Sequence, residues 1–459
     1  MRLSTQHGLN APLPLTPRAK RPATANSTHH SLTTSRRPIA VDLFAGAGGM
    51  TLGFEQAGFD VLAAVEIDPI HCATHKFNFP FCSILCQSVE DTSGAEIRQR
   101  SPIGDREIDA VICGSPCQGF SLMGKRVFDD PRNSLVFHFH RLVLELQPKF
   151  FVMENVRGIT VGEHKQILKI LIDEFKACDY QVEENYQILN AAKYGVPQAR
   201  ERLFLLGAKK DIKLPNYPQP ITQPAKPNHK LRKTSGLPIC PTVWQAIGDL
   251  PEVENYSELL CRDWVIAEYG KPSNYAMILR GLRKLRDDYS SDRQFDSRIL
   301  SSSLRTKHSL TTTQRFQDTP QGEREPISRF HKLHPAGVCN TLRAGTDKYK
   351  GSFTSPRPIH PLTPRCITVR EAARLHSYPD WFRFHITKWH GFRQVGNSVP
   401  PLLAKAVAKE IILSLNISPV KPRIKYELGA ETLLQLNISQ AAQHFTVKRT
   451  NFFTTNEDY

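Results

Sequence analysis

In "ICGSPCQGFS", residues 112–121, an apolar run closes on a glycine and is followed at once by a thiol, Cys117, with Pro116 before it and Gln118 and Ser121 after it. A cysteine in that setting can serve as a nucleophile, because a thiolate adds readily to an electron-poor carbon. Buried cysteines also fill apolar space, so the residue type alone leaves both uses open. A second group is "DLFAGAGG", where Gly46, Gly48 and Gly49 follow a strand-like run and open a helix-like one. Glycines there let the backbone approach a ligand, although the spacing is not that of the dinucleotide fingerprint. Glu66, in "VEID", ends the next strand-like run, where a carboxylate can accept both hydroxyls of a ribose. Turn and carboxylate together point to a nucleoside-bearing cofactor.

The elements that must hold these groups alternate. Strand-like runs at "IAVDLF", "DVLAAVEID", "IDAVICG", "KFFVMENV" and "ERLFLLGAKK" are separated by helical stretches such as "NSLVFHFHRLVLELQ" and "HKQILKILIDEFKAC". That order predicts an α/β fold with a mostly parallel sheet covered on both faces, and a strand's carboxyl end is where such folds place their chemistry. After Lys213 the texture breaks into the proline-rich, basic "LPNYPQPITQPAKPNHKLRKTSGLP" and then a loop-rich stretch with interleaved basic and aromatic residues. Helical pattern returns in "TVREAARLHSYP" and in "LLAKAVAKEIILSL". We therefore expect a basic, acid-free disordered tail over 1–38, a catalytic and cofactor-binding domain over 39–214, a second, smaller irregular domain over 215–361, a return to the first domain over 362–415, and a tail of no assigned role over 416–459.

The chain has 459 residues, 40% of them hydrophobic and 23% charged, which suits a globular protein of two or three domains. Sixty Lys and Arg against 44 Asp and Glu leave a net charge of +16. The excess favours a polyanionic partner, nucleic acid above all. Ten cysteines in so long a chain are no disulfide framework. They form no CxxC pair, and neither Cys82/Cys86 nor His71/Cys72/His75 has zinc-site spacing, so no metal site is expected. No run is apolar enough to span a membrane. A reducing cytoplasm, with Cys117 free to be a thiolate, fits this composition. An acid-free basic start also has some transit-peptide character, without a convincing amphipathic helix.

Five motifs in order, "DLFAGAGG", "GSPCQGFS", "MENV", "QARER" and "VGNSVP", resemble those of the cytosine-5 DNA methyltransferases over about Val41 to Leu415, with a gap at 215–360 where members of that family vary. The resemblance implies a Rossmann-like methyltransferase sheet with a target recognition domain, S-adenosylmethionine as methyl donor, and double-stranded DNA as substrate. It makes Cys117 the thiolate that adds to carbon 6 of a flipped-out cytosine. Gln118 joins the catalytic set beside it. Glu154 matches the glutamate that meets N3 and the exocyclic amine, Arg202 the arginine that meets the carbonyl oxygen, and Arg200 supports the site or a phosphate. For the cofactor, Phe44 would stack on adenine, Gly46 and Gly48 would form the turn, Glu66 would hold the ribose, and Pro116, Leu135 and Asn397 would line the pocket. Two positions depart from the pattern: Ile67 stands where the family has an aromatic residue, and Ser88 where it has an acid facing the adenine amine. A monomer is expected, with a cognate restriction endonuclease as a candidate partner. Other readings are a tRNA cytosine-5 methyltransferase, an inactive DNA-binding relative, and a bare cofactor-binding module. Intact Cys117, Glu154 and Arg202 argue against the inactive relative, and the nucleophile loop argues against the bare module.

Overall fold

A computed structural model describes residues 34–115, 134–162, 164–227, 236–345 and 357–447. Eight strands form the main sheet: β1 (Ile39–Leu43), β2 (Asp60–Glu66), β3 (Ser83–Cys86), β4 (Ala110–Gly114), β5 (Phe150–Val156), β6 (Tyr180–Val182), β7 (Gln187–Asn190) and β8 (Glu201–Lys209). Their order is β3-β2-β1-β4-β5-β8-β6, with β7 also paired to β8. The first five are parallel, and β8 runs antiparallel to β5, β6 and β7. The chain moves outward from β1 to β3, then returns to the other side of β1 at β4. The carboxyl ends of β1 and β4 therefore flank a switch point, the crevice in which open α/β sheets bind ligands.

Helices α1 (Gly49–Ala57), α2 (Pro69–Asn78), α3 (Gly94–Gln99), α4 (Ser134–Leu146) and α5 (His164–Ala177) connect the parallel strands or follow them. Every residue of β1 is buried, as a central strand covered on both faces requires. Alternation along the strands splits the core. Val41, Leu43, Val65, Val111, Phe151 and Leu203 face α4 and α5, whereas Ala40, Val61, Ile112, Val152 and Phe204 face α1 and a late helix.

Within 215–361 the regular elements are short: α6 (Val243–Ile247), α7 (Asn274–Leu279), α8 (Leu310–Asp318) and two- or three-residue strands. Three helices follow, α9 (Val369–Leu375), α10 (Lys388–Asn397) and α11 (Pro401–Ser414). Sequence pattern anticipates α9 and α11 but not α10, which carries Gly391 and Gly396 and so has low intrinsic helix propensity. Both glycines are packing requirements: a Cβ on Gly396 would lie 2.4 Å from the Ala344 nitrogen, and one on Gly391 2.9 Å from Val369. Helix α11 returns to the first layer and lies against α1, where a Cβ on Gly53 would meet the Ala404 Cβ at 2.4 Å. Val243, Ile247, Tyr275 and Leu279 share a core with Val369, Leu375, Phe382 and Val395. Fully buried Arg374 adds an ionic tie there, reaching Asp249 at 2.5 Å and Asp380 at 2.6 Å.

The stretch after α11 is built into the fold. Its strand Lys425–Glu427 pairs with Asp292–Gln294. Leu433 and Leu434 then pack on Ala73 and Phe77 of α2, followed by helix α12 (Ile438–His444). Sequence reading assigned this segment no role because it carries no recognisable chemistry; its partners in the fold are Asp292–Gln294 and α2.

Candidate active site

At the carboxyl end of β1 the chain turns through Phe44, whose φ of 58° lies in the left-handed region that costs a side-chain-bearing residue about 1 kcal/mol or more. Gly46 and Gly48 continue the turn with φ of 56° and 101°, and Gly48 caps α1. Among the described residues nothing approaches within 4 Å of the place a Cβ would occupy on Gly46. The Gly46 N–H donates to Oε2 of Glu66 at 2.8 Å, and the Asp68 N–H donates to Oε1 at 2.9 Å. Glu66 is thus fixed at the end of β2, only 9% exposed, and burial raises its pKa. Half-buried Phe44, open space over Gly46 and an immobilised carboxylate on the neighbouring strand form a cradle that suits an adenosine. Beneath it Asp42 is buried and accepts from the Thr51 hydroxyl at 2.6 Å, with His75 Nε2 3.1 Å from the same hydroxyl. Burial pushes Asp42 up to about 7. Sequence reasoning missed this chain, since an aspartate in "VDLF" gives no sign that its face is sealed.

On the other side of the switch point, β4 ends at Gly114, which pairs in register with Glu154 of β5. A Cβ on Gly114 would stand 3.6 Å from Glu154 Oε2 and 4.0 Å from the Phe44 carbonyl oxygen. Ser115 follows, its hydroxyl accepting from Asn155 Nδ2 at 2.9 Å. Across the sheet Phe204 faces Glu154 and Arg202 faces Val156. Arg202 is therefore the diagonal same-face neighbour of Glu154. Its Nε lies 2.8 Å from Glu154 Oε1. Burial raises the pKa of Glu154, opposed by the charges of Arg202 and Arg200. The pair couples a fixed cation to a carboxyl poised to hold or release a proton.

Arg200 is fully buried. Its Nη1 donates to the Leu342 carbonyl at 2.9 Å and its Nη2 to the Gly396 carbonyl at 2.8 Å, so it holds backbone and presents no face to a phosphate. Gln198, also fully buried, donates to His376 Nδ1 at 2.9 Å and accepts from the Leu342 N–H at 3.0 Å. This second network was not legible in the sequence, because its partners stand more than 140 residues away. Among the pocket candidates, Leu135 is half-buried at the start of α4 and packs on the β-sheet core. Asn397 is exposed at the end of α10, and Ile67 is 47% exposed beside Glu66. Ser88 lies just beyond β3, its hydroxyl accepting from the Glu90 N–H at 3.2 Å. Pro116, Cys117 and Gln118 lie outside the described residues.

The sequence profile of the C-5 cytosine-specific DNA methylases matches residues 39–413, which includes both edges of this site. The chain belongs to that family. It is a DNA cytosine-5-methyltransferase. The type II methyltransferase M.XorII of Xanthomonas oryzae pv. oryzae is 56% identical over 414 residues, covering 90% of this chain and 94% of that protein. M.DdeI of Desulfomicrobium norvegicum, also a type II methyltransferase, is 32% identical, with 81% and 88% covered. A solved structure described as a prophage-encoded DNA modification methyltransferase of E. coli superposes with a TM-score of 0.66 at 35% identity, covering 83% of this chain and 99% of that one. In this methyltransferase the segment 417–447 lies beyond the family match. No helix among the described residues is long and apolar enough to cross a membrane.

Proposed function

We propose that this methyltransferase modifies cytosine within a specific duplex DNA sequence through a covalent adduct with Cys117, on a base turned out of the helix to face Glu154 and Arg202. The observation that carries this reading is the convergence at Gly114, where the Glu154 carboxyl and the Phe44 turn approach the same backbone position three residues before Cys117. A cytosine inside a stacked duplex cannot present its ring edge to such a recess, so the base must leave the stack.

Carbon 5 of cytosine is a poor nucleophile. Attack by the Cys117 thiolate forms a sulfur–carbon 6 bond. The displaced π pair then becomes the carbon 4–carbon 5 double bond, and charge reaches N3. Glu154 donates its proton at N3, and burial, by raising its pKa, makes the protonated form accessible. Arg202 holds Glu154 in place through Nε and donates from Nη1 to the Glu201 carbonyl, which leaves Nη2 to meet the ring carbonyl. Phe44, Gly46, Gly48, Glu66, Ile67, Ser88, Pro116, Leu135 and Asn397 would hold S-adenosylmethionine, which when bound would supply an electrophilic methyl group for carbon 5. Loss of the carbon 5 proton to water or hydroxide restores the carbon 5–carbon 6 double bond and expels the thiolate, while N3 returns its proton to Glu154.

Residues 39–214 and 362–415 form the catalytic unit in this reading, and 215–361 reads the target. The protein acts as a monomer in the cytoplasm, on nucleoid DNA. Relatives named as type II methyltransferases favour a cognate endonuclease cutting the same site. The test is Cys117→Ala: methyl transfer should vanish while duplex binding persists. Transfer at a rate near that of the native protein would refute the mechanism.

A further inference from the structure

The Gln198–Arg200 network clamps a stretch of the recognition region against the catalytic strand. Cys339 and Asn340 pair in parallel with Gln198 and Ala199. The Cys339 N–H donates to the Pro197 carbonyl at 2.8 Å, and the Thr341 hydroxyl donates to the Ala199 carbonyl at 2.7 Å. Leu342 is held at both ends of its peptide, its N–H by Gln198 Oε1 at 3.0 Å and its carbonyl by Arg200 Nη1 at 2.9 Å. The other wall is Gly396, where an added Cβ would lie 2.5 Å from the Arg343 carbonyl carbon. The backbone at 339–344 therefore has little freedom relative to the catalytic residues.

Arg343 leaves this clamp exposed, and among the described residues no carboxylate pairs with it. The paired register ends at Asn340 opposite Ala199, three residues short of Arg343 on one strand and of Arg202, which contacts Glu154, on the other. On its other side lies the end of α10 at Asn397. An unpaired guanidinium, mounted on fixed backbone between the base-facing arginine and the cofactor side, is placed to meet the sugar–phosphate chain of a base entering the recess. Arginine presents a planar fork that matches a phosphate with two parallel hydrogen bonds.

We propose that Arg343 grips the DNA phosphate flanking the extruded cytosine, with Gln198 and Arg200 as positioning residues that fix its root. This rests on the base-extrusion reading above. It predicts that Arg343 serves affinity for DNA and not the chemical step.

The experiment compares Arg343→Ala and Arg343→Lys with the native full-length protein, measuring duplex binding over a salt series and steady-state methylation. Removing one phosphate contact should make the slope of log K against log salt shallower by about 0.9. The KM for DNA should rise roughly tenfold, with kcat at saturating DNA and the KM for S-adenosylmethionine unchanged. Arg343→Lys, keeping the charge without the fork, should restore the slope but only part of the affinity. A native salt slope and native DNA KM in Arg343→Ala would overturn the proposal. A fall in kcat with unchanged DNA affinity would overturn it too. The binding slope is read without catalysis, so a native protein that transfers no methyl to duplex DNA would count against the covalent mechanism alone.

Discussion

Two of this protein's carboxylate–arginine pairs, Glu55–Arg293 and Glu154–Arg202, have surroundings that separate structure from chemistry. Glu55 and Arg293 meet through Oε2 and Nη2 at 2.7 Å and through Oε1 and Nη1 at 3.0 Å. Arg293 also donates to the carbonyls of Ser291 and Asn78, the Ser291 N–H donates back to Glu55, and the guanidinium lies 4.8 Å from the Trp381 ring centre. Almost nothing of either side chain reaches solvent. Glu154 and Arg202 share one contact at 2.8 Å, and their side chains keep 8% and 12% exposure. The first pair has its hydrogen-bonding capacity met inside the fold. In the second, Arg202 Nη1 also donates to the Glu201 carbonyl at 2.7 Å, but Nη2 and Glu154 Oε2 have no partner among the described residues, and such unmet capacity is what a substrate can use.

The largest effect should come from breaking the open pair. Glu154→Gln keeps the shape and the contact to Arg202 but has no proton to give N3, so kcat should fall by about 10²–10⁴. Thermal unfolding should stay near that of the native protein. Glu154→Gln that unfolds early but retains native kcat would invert the assignment of the two pairs.

Breaking the closed pair should show the converse. Glu55→Ala leaves Arg293 buried without its counter-charge, a loss of roughly 3–5 kcal/mol for such pairs. Chemical denaturation should report this loss, while kcat per folded molecule stays close to native. A stable Glu55→Ala protein with impaired chemistry would contradict the division.

A smaller effect sharpens the comparison at a third buried acid. Asp42 has no cation beside it among the described residues, and burial pushes it up to about 7, above the value it has in the unfolded chain. The stabilisation that comes from holding its proton is complete below about pH 4 and is lost as pH rises through about 7. Asp42→Asn stays neutral throughout, so its melting temperature should decline less over that window than the native one. Parallel pH profiles for the two proteins would contradict this.

The sequence made the first layer legible because its strands are apolar runs ending in chemically conspicuous residues. Phe44, Glu66 and Gly114 sit at strand ends, where the reading placed them, and Glu154 lies two residues inside the end of β5. What stayed hidden depends on distant partners. Arg200 and Arg202 look alike in "QARER", yet one is sealed among carbonyls from residues 342 and 396 and the other faces the crevice. Helix α10 forms despite its two glycines because close packing needs them, and 417–447 is held by α2 and by Asp292–Gln294.

The most direct test of the account is to incubate the native protein and S-adenosylmethionine with duplex DNA carrying 5-fluorocytosine at its target position. Fluorine on carbon 5 cannot leave as a proton does, so the final elimination is blocked. The account predicts a complex that survives denaturation, whose mass equals protein plus methylated DNA and whose cross-linked peptide contains Cys117. Methyl transfer to ordinary cytosine by the same preparation, with no denaturation-resistant complex on the fluorinated duplex, would contradict it.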